Sequence, residues 1–215
     1  MSRHFWFSLA LTLASIAVSH AADEEGFMPL FDGKTFTGWE GNEKIFRIED
    51  GAIVGGTLKE KVPHNDFLAC KQEYADFELR LQFKLLGKGV NGGVQIRSRR
   101  VPDNFEMSGY QADLGDGYWG SLYDESRRKK TLVAPKAEEV EKVLKRDDWN
   151  DYTIRCEERR IQLWINGLQT VDYTEADEAL EQTGLIALQI HGGGPSEAWY
   201  KNIRIKELKT INDKR

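Results

Sequence analysis

The chain has 215 residues, with 30 Lys and Arg against 35 Asp and Glu, four His, and a formal net charge of −5. That balance excludes the concentrated positive face that phosphate binding needs, so nucleic acid is not an expected partner. Hydrophobic residues make up 40% of the sequence, enough over this length for the full core of one domain.

In chain order, Arg3 precedes an apolar run over 5–18 and then Ser19, His20 and Ala21. This is the order of a secretory signal peptide, with cleavage expected after Ala21, and no later run is long enough to span a bilayer. The expected product is a single domain over 22–215, located in the periplasm or outside the cell. Alternation of apolar and polar residues predicts strands over 45–49, 76–85, 94–97, 152–156, 161–165 and 202–205, while 185–190 is apolar enough to lie deep. Asn166 and Gly167 suit the positive φ angles of a two-residue hairpin turn, which makes 160–165 and 168–173 antiparallel neighbours. One helix is predicted, over 135–146, from Pro135 in its first turn and the stripe Val140, Val143, Leu144. Many strands and few helices favour a mainly β fold, a jelly-roll β-sandwich of two antiparallel sheets with one short helix. Cys70 and Cys156 both fall on predicted strands. In an exported chain they either pair or stay as two buried thiols.

The segment 109–128, GYQADLGDGYWGSLYDESRR, is chemically the richest. At the two-residue period of a strand, Tyr110, Ala112 and Leu114 point one way and Gln111 and Asp113 the other. Gln95 and Arg97 share one face of their own strand. If the two strands are neighbours, Gln95, Arg97, Gln111 and Asp113 converge on one surface, bordered by Tyr118 and Trp119 and followed by Tyr123, Glu125 and Arg127. Planar donors and acceptors beside aromatic faces suit sugar hydroxyls and C–H patches. The bland alternative is a half-exposed sheet with polar residues outward and aromatics capping the core. Val94, Ile96, Tyr110 and Ala112 are expected to be buried, and the four polar groups to face solvent.

Phe31, Asp32, Gly33 with Gly38 and Trp39, YADFELRLQFKL at 74–85, NGGVQIRS at 91–98, WNDYTI at 149–154, WING at 164–167, and GLIALQIHG with YKNIRIKEL near the end follow one another in a recognisable order. On these blocks the chain resembles the 3-keto-disaccharide hydrolase domain family, over about residues 26–208. The resemblance implies a concanavalin A-like lectin/glucanase sandwich and a carbohydrate substrate. It implies cleavage of glycosides oxidised to a ketone at C3: a base removes the acidified C2 proton, a donor or cation stabilises the enolate, and the C1 substituent leaves. Glucanases of the laminarinase type use alternating glutamate, aspartate and glutamate on one strand. Here Gln111 and Asp113 are followed by Asp116 beyond a glycine, so that retaining mechanism is not expected.

Members of the resembled family commonly carry glutamate and then glutamine where this chain has Gln111 and Asp113, so amide and carboxylate are exchanged. Asp113 is the first candidate for the base or for a cation ligand. His191, in the block LQIHG, is either a proton shuttle or metal ligand at the groove or a strand-end cap, and Arg97 is the candidate enolate stabiliser. A divalent metal is compatible with the resemblance, but no ligand set is assigned. His64 with Asp66 matches no closed zinc spacing, and DLGDG lacks the calcium-loop pattern. A non-catalytic polysaccharide-binding module using the same groove is the alternative, and nothing in the sequence implies a protein partner.

Overall fold

The computed structural model describes residues 26–209, so the expected signal segment lies outside the described residues. In chain order the strands are β1 (Met28–Pro29), β2 (Trp39–Glu40), β3 (Phe46–Glu49), β4 (Ala52–Thr57), β5 (Asp66–Tyr74), β6 (Phe77–Gly87), β7 (Asn91–Arg100), β8 (Met107–Gly115), β9 (Leu122–Glu125), β10 (Lys130–Val133), β11 (Asn150–Glu157), β12 (Arg160–Ile165), β13 (Leu168–Thr174), β14 (Gly184–Ile190) and β15 (Ser196–Glu207). They form two antiparallel sheets. The back sheet has the order β13-β12-β11-β6-β15-β4-β3, with β1 on β15, and the front sheet the order β10-β9-β8-β7-β14-β5-β2.

Alternation in β6 puts Phe77, Leu79, Leu81, Phe83 and Leu85 inward and leaves the residues between them half exposed. Opposite them the front sheet contributes Val94, Ile96, Tyr110, Ala112 and Leu188 to the same core cluster. Each fully buried large side chain contributes about 1.5–3 kcal/mol, and truncating Phe83, which is wholly buried, would cost about 3–5 kcal/mol. The hairpin at Asn166 and Gly167 forms as expected, with φ of 48° and 84° and Ile165 facing Leu168.

Two expectations are corrected or resolved. The helix shrinks to one turn, α1 (Ala137–Val140), followed by turns. Asn150 ties that segment down by accepting from Lys145 N at 2.8 Å and donating to Lys145 O at 2.8 Å, while Leu144 packs against the core. Cys70 and Cys156 are buried free thiols. Cys70 donates to Gln72 O at 3.0 Å, and burial pushes the Cys70 thiol up to about 11 and that of Cys156 to about 12. At neutral pH neither carries the thiolate that would react.

Candidate functional site

The site is built on the outer face of the front sheet, where register sets the layout. Gly93 of β7 lies opposite Asp113 of β8 on one side and Gln189 of β14 on the other. Gln95 is likewise flanked by Gln111 and Ala187, and Gln111 faces Tyr123 of β9. Directly opposed residues point to the same face. Val94, Ile96, Tyr110 and Ala112 are in the core as expected, and Gln95, Gln111 and Asp113 point away from it.

These polar groups are not solvated, as the sequence had suggested they would be. Gln95 is 0% exposed, Gln111 3% and Asp113 6%. They satisfy one another instead. Ser98 Oγ donates to Gln95 Oε1 at 2.6 Å, Gln95 Nε2 donates to Gln111 Oε1 at 2.7 Å, and Gln111 Nε2 donates to Asp113 Oδ1 at 3.1 Å. Leu114 N also donates to Asp113 Oδ1, at 3.2 Å. Both bonds fall on one carboxylate oxygen and leave Oδ2 free.

Burial raises the Asp113 carboxyl to about 7; the bonds from Gln111 and Leu114 act the other way, and the charge of Glu125 adds to the rise. Glu125 is itself raised by burial and by Glu106, and is lowered by His191. Tyr123 is raised by burial and by Glu125 and Asp113, so its hydroxyl keeps its proton. Asp113, Tyr123, Glu125, Glu106 and His191 thus share one electrostatic neighbourhood. His191 is exposed, with Nδ1 2.7 Å from Gly192 O, so Nδ1 is the donor to that carbonyl and Nε2 is left without a partner in the protein.

Gln189, opposite Gly93 on the same sheet face, was not legible as a polar residue of that face, because LIALQI reads as one apolar strand. The available signal is its two-residue spacing from His191. Gln189 is 0% exposed, and neither Oε1 nor Nε2 has a hydrogen-bond partner. Two residues before Gly93 on β7, Asn91 Oδ1 is also buried without a partner. A buried polar group left unpaired costs on the order of 1–3 kcal/mol.

The 3-keto-alpha-glucoside-1,2-lyase-like domain family matches this chain over residues 26–206. The chain belongs to that family. It is 24% identical over 238 residues to a 3-keto-disaccharide hydrolase from Bacteroides thetaiotaomicron, a match spanning 86% of this chain and 80% of that protein. A candidate glycosyl hydrolase from Parabacteroides distasonis superposes with a TM-score of 0.65 at 21% identity, covering 86% of this chain and 95% of that one. The carbohydrate-binding module CBM66 of Bacillus subtilis superposes with a TM-score of 0.58 at 11% identity, covering 79% and 96%. At these identities the two structures speak for the sandwich fold. The family speaks for a carbohydrate-active protein.

Within this member of the lyase-like family, three expected site residues lie elsewhere. Arg97 adopts φ 47° inside an irregularity between Ile96 and Arg99, which turns it out of the Gln95 row. Its guanidinium donates to Ala75 O at 2.7 Å, Gln182 Oε1 at 2.8 Å and Asp76 Oδ1 at 3.0 Å, with none of the side chain exposed. Trp119 packs on the core with its ring centroid 6.1 Å from that of Phe83, as a cap does. Arg127 donates to Asp124 Oδ1 at 3.0 Å and lies 4.5 Å over the Tyr110 ring, on the core side of β8. Tyr118 is 46% exposed on the turn beyond Gly115, and Asp116 has left the strand to pair with Arg146 at 2.8 Å.

His64 and Asp66 are engaged structurally. The His64 ring stacks on Phe105 at 3.7 Å, and Asp66 accepts from Phe67 N at 2.9 Å and from Asn42 at 3.3 Å. Among the described residues no three His, Cys, Asp or Glu side chains gather as a cation site. A cleft of about 870 Å³ opens by β3, lined by Arg47, Lys61 and Glu197 among others. Its central charge is already used, since Arg47 donates to Glu49 at 2.7 Å, Glu197 at 2.8 Å and Gly56 O at 2.7 Å.

Proposed function

We propose that the protein, acting in the periplasm or outside the cell, cleaves 3-keto-glycosides by β-elimination. The observation that carries this reading is Asp113: a buried carboxyl held near 7, fixed through Oδ1 and free at Oδ2. A base poised near neutrality suits removal of the C2 proton, which a neighbouring ketone acidifies.

In the reaction, Asp113 Oδ2 takes the C2 proton, the electron pair passes through the enolate, and a C1–C2 double bond forms as the C1–O bond breaks. The departing oxygen takes a proton from the Tyr123 hydroxyl, which is restored by the proton later drawn from the attacking water, and the product is a 2-hydroxy-3-keto-glycal. Addition of water at C1, with a proton returned to C2, converts it to the free 3-keto sugar, so the net outcome is hydrolysis. His191, exposed and with Nε2 not engaged by the protein, is the residue we assign to activate that water. Arg97 has no part in this scheme, because its three bonds hold it away from the Asp113 row.

The test is incubation with a 3-keto-α-glucosyl disaccharide in D2O, against an enzyme-free control. Release of free sugar with enzyme-dependent deuterium at C2 is the expected result. No release, or release without C2 deuterium, overturns the proposal.

A further inference from the structure

On the sheet opposite the Asp113 row, we infer a second site: the outer face of the back sheet binds a short neutral glycan chain, with Trp164 as its stacking platform. Alternation in β12 puts Leu163 and Ile165 in the core and turns Trp164 outward, half-buried. Register carries one row from Trp164 to Thr153 of β11, Arg80 of β6 and Arg204 of β15. With strands about 4.8 Å apart, three spacings give a row about 14 Å long, more than one pyranose ring occupies. Asp151, Gln82 and Lys201 form the row beside it.

Two clefts open along these rows. One of about 270 Å³ is bordered by Trp164, Gly167 and Glu78, and one of about 320 Å³ by Gln82, Asn202 and Arg204. Asp151 and Thr153 line both, so the clefts join as one trough.

The tryptophan on its wall is placed unlike the others. Among the described residues, Trp39 and Trp119 belong to the core, while Trp149 and Trp199 pack edge to face at 6.4 Å beside Lys84. Trp164 belongs to no hydrophobic cluster. Its ring therefore stands over polar neighbours, where a sugar's C–H face can cover it. The floor supplies the matching hydrogen bonds. Asn202 Nδ2 donates to Gln82 Oε1 at 2.8 Å, and Gln82 Nε2 donates to Asp151 Oδ1 at 2.9 Å. Asn202 reaches this face because the register shifts between Lys201 and Arg204, where it adopts φ 53°. The chain of amides and carboxylate is exposed and already oriented, so hydroxyls meet fixed donors and acceptors.

Charge selects a neutral ligand. Glu78 accepts from Arg80 at 2.8 Å and from Arg155 at 3.1 Å, and Asp151 accepts from Gln82, so the acids of the trough are matched within the sheet. A glycan held here leaves the Asp113 face, on the other sheet, open to a second ligand.

The experiment is calorimetry of the full domain with maltohexaose and cellohexaose as neutral probes and hexagalacturonate as an anionic one. The wild type is expected to bind at least one neutral hexasaccharide. Trp164→Ala and Gln82→Ala should each weaken that binding at least about tenfold, and Trp164→Phe should recover most of it. Asp113→Asn should bind as the wild type does. No binding of either neutral probe, binding of hexagalacturonate alone, or loss of binding in Asp113→Asn with Trp164→Ala unaffected would overturn the inference. If Trp164→Ala does not fold, unchanged affinity in Gln82→Ala overturns it instead. Because Trp164 and Asp113 lie on different sheets, failure of the wild type to cleave keto-glycosides removes the elimination mechanism and leaves this site standing.

Discussion

Gln111 Nε2 donates to Asp113 Oδ1 at 3.1 Å, and Gln111 is itself held by Gln95, whose Nε2 lies 2.7 Å from Gln111 Oε1. The relay stabilises the charged carboxylate against the burial that raises it. Gln111→Leu should therefore move the acidic limb of the kcat/KM profile to higher pH and lower the rate at pH 7. A profile that keeps its midpoint while the maximum drops would show that Gln111 contacts substrate rather than tuning Asp113.

Asp113 also makes stability depend on pH in a definite sense. Burial lifts it from 3.8 to about 7. Between those values the folded protein keeps a proton that the unfolded chain has released. Its contribution is full below about pH 4 and is lost as pH rises through 7. Over that window the loss is on the order of 4 kcal/mol. Asp113→Asn should remove it: urea denaturation at pH 4 and pH 8 should show the variant gaining on the wild type only at the higher pH, while cleavage is abolished. Equal shifts at both pH values would mean that Asp113 is not buried as a neutral acid.

Strand placement was legible because β6, β11 and β12 each bury one face, and their alternation survives in sequence. The face of Gln111 and Asp113 followed from the same rule. Burial did not, since hydrogen bonding between side chains on neighbouring strands leaves no trace in either strand alone. Arg97 was misplaced for a local reason. At φ 47° the chain leaves extended geometry, and a two-residue period cannot be carried through that point. Trp119 followed the bland reading of its segment, the aromatic cap.

Glu175 fixes the strand that presents Tyr123 and Glu125. It accepts from Tyr110 at 2.7 Å, Arg128 at 2.7 Å and Tyr173 at 3.0 Å, and Arg128 also pairs with buried Asp124. Burial would raise Glu175, but these bonds hold it near 2. A depressed pKa gives stability that is present above about 4.5 and lost as pH falls through 2. Glu175→Gln should cost about 3–5 kcal/mol at pH 7 by leaving Arg128 undercompensated, and the deficit should narrow in urea titrations at pH 4 and pH 3. A constant deficit would assign the loss to packing.

Arg97 tests the boundary between site and scaffold. The sequence places it beside Gln95, whereas its three hydrogen bonds tie β7 to the turn before β6 and to Gln182. Removing it leaves Asp76 near a buried, unpaired state, so Arg97→Ala should lower unfolding free energy by about 3–5 kcal/mol. Activity per folded molecule should stay near that of the wild type. Replacing both partners, as Arg97→Met with Asp76→Leu, should recover part of the loss, because no charge is then stranded. A stable Arg97→Ala protein that binds keto sugar but does not cleave it would return Arg97 to the catalytic face.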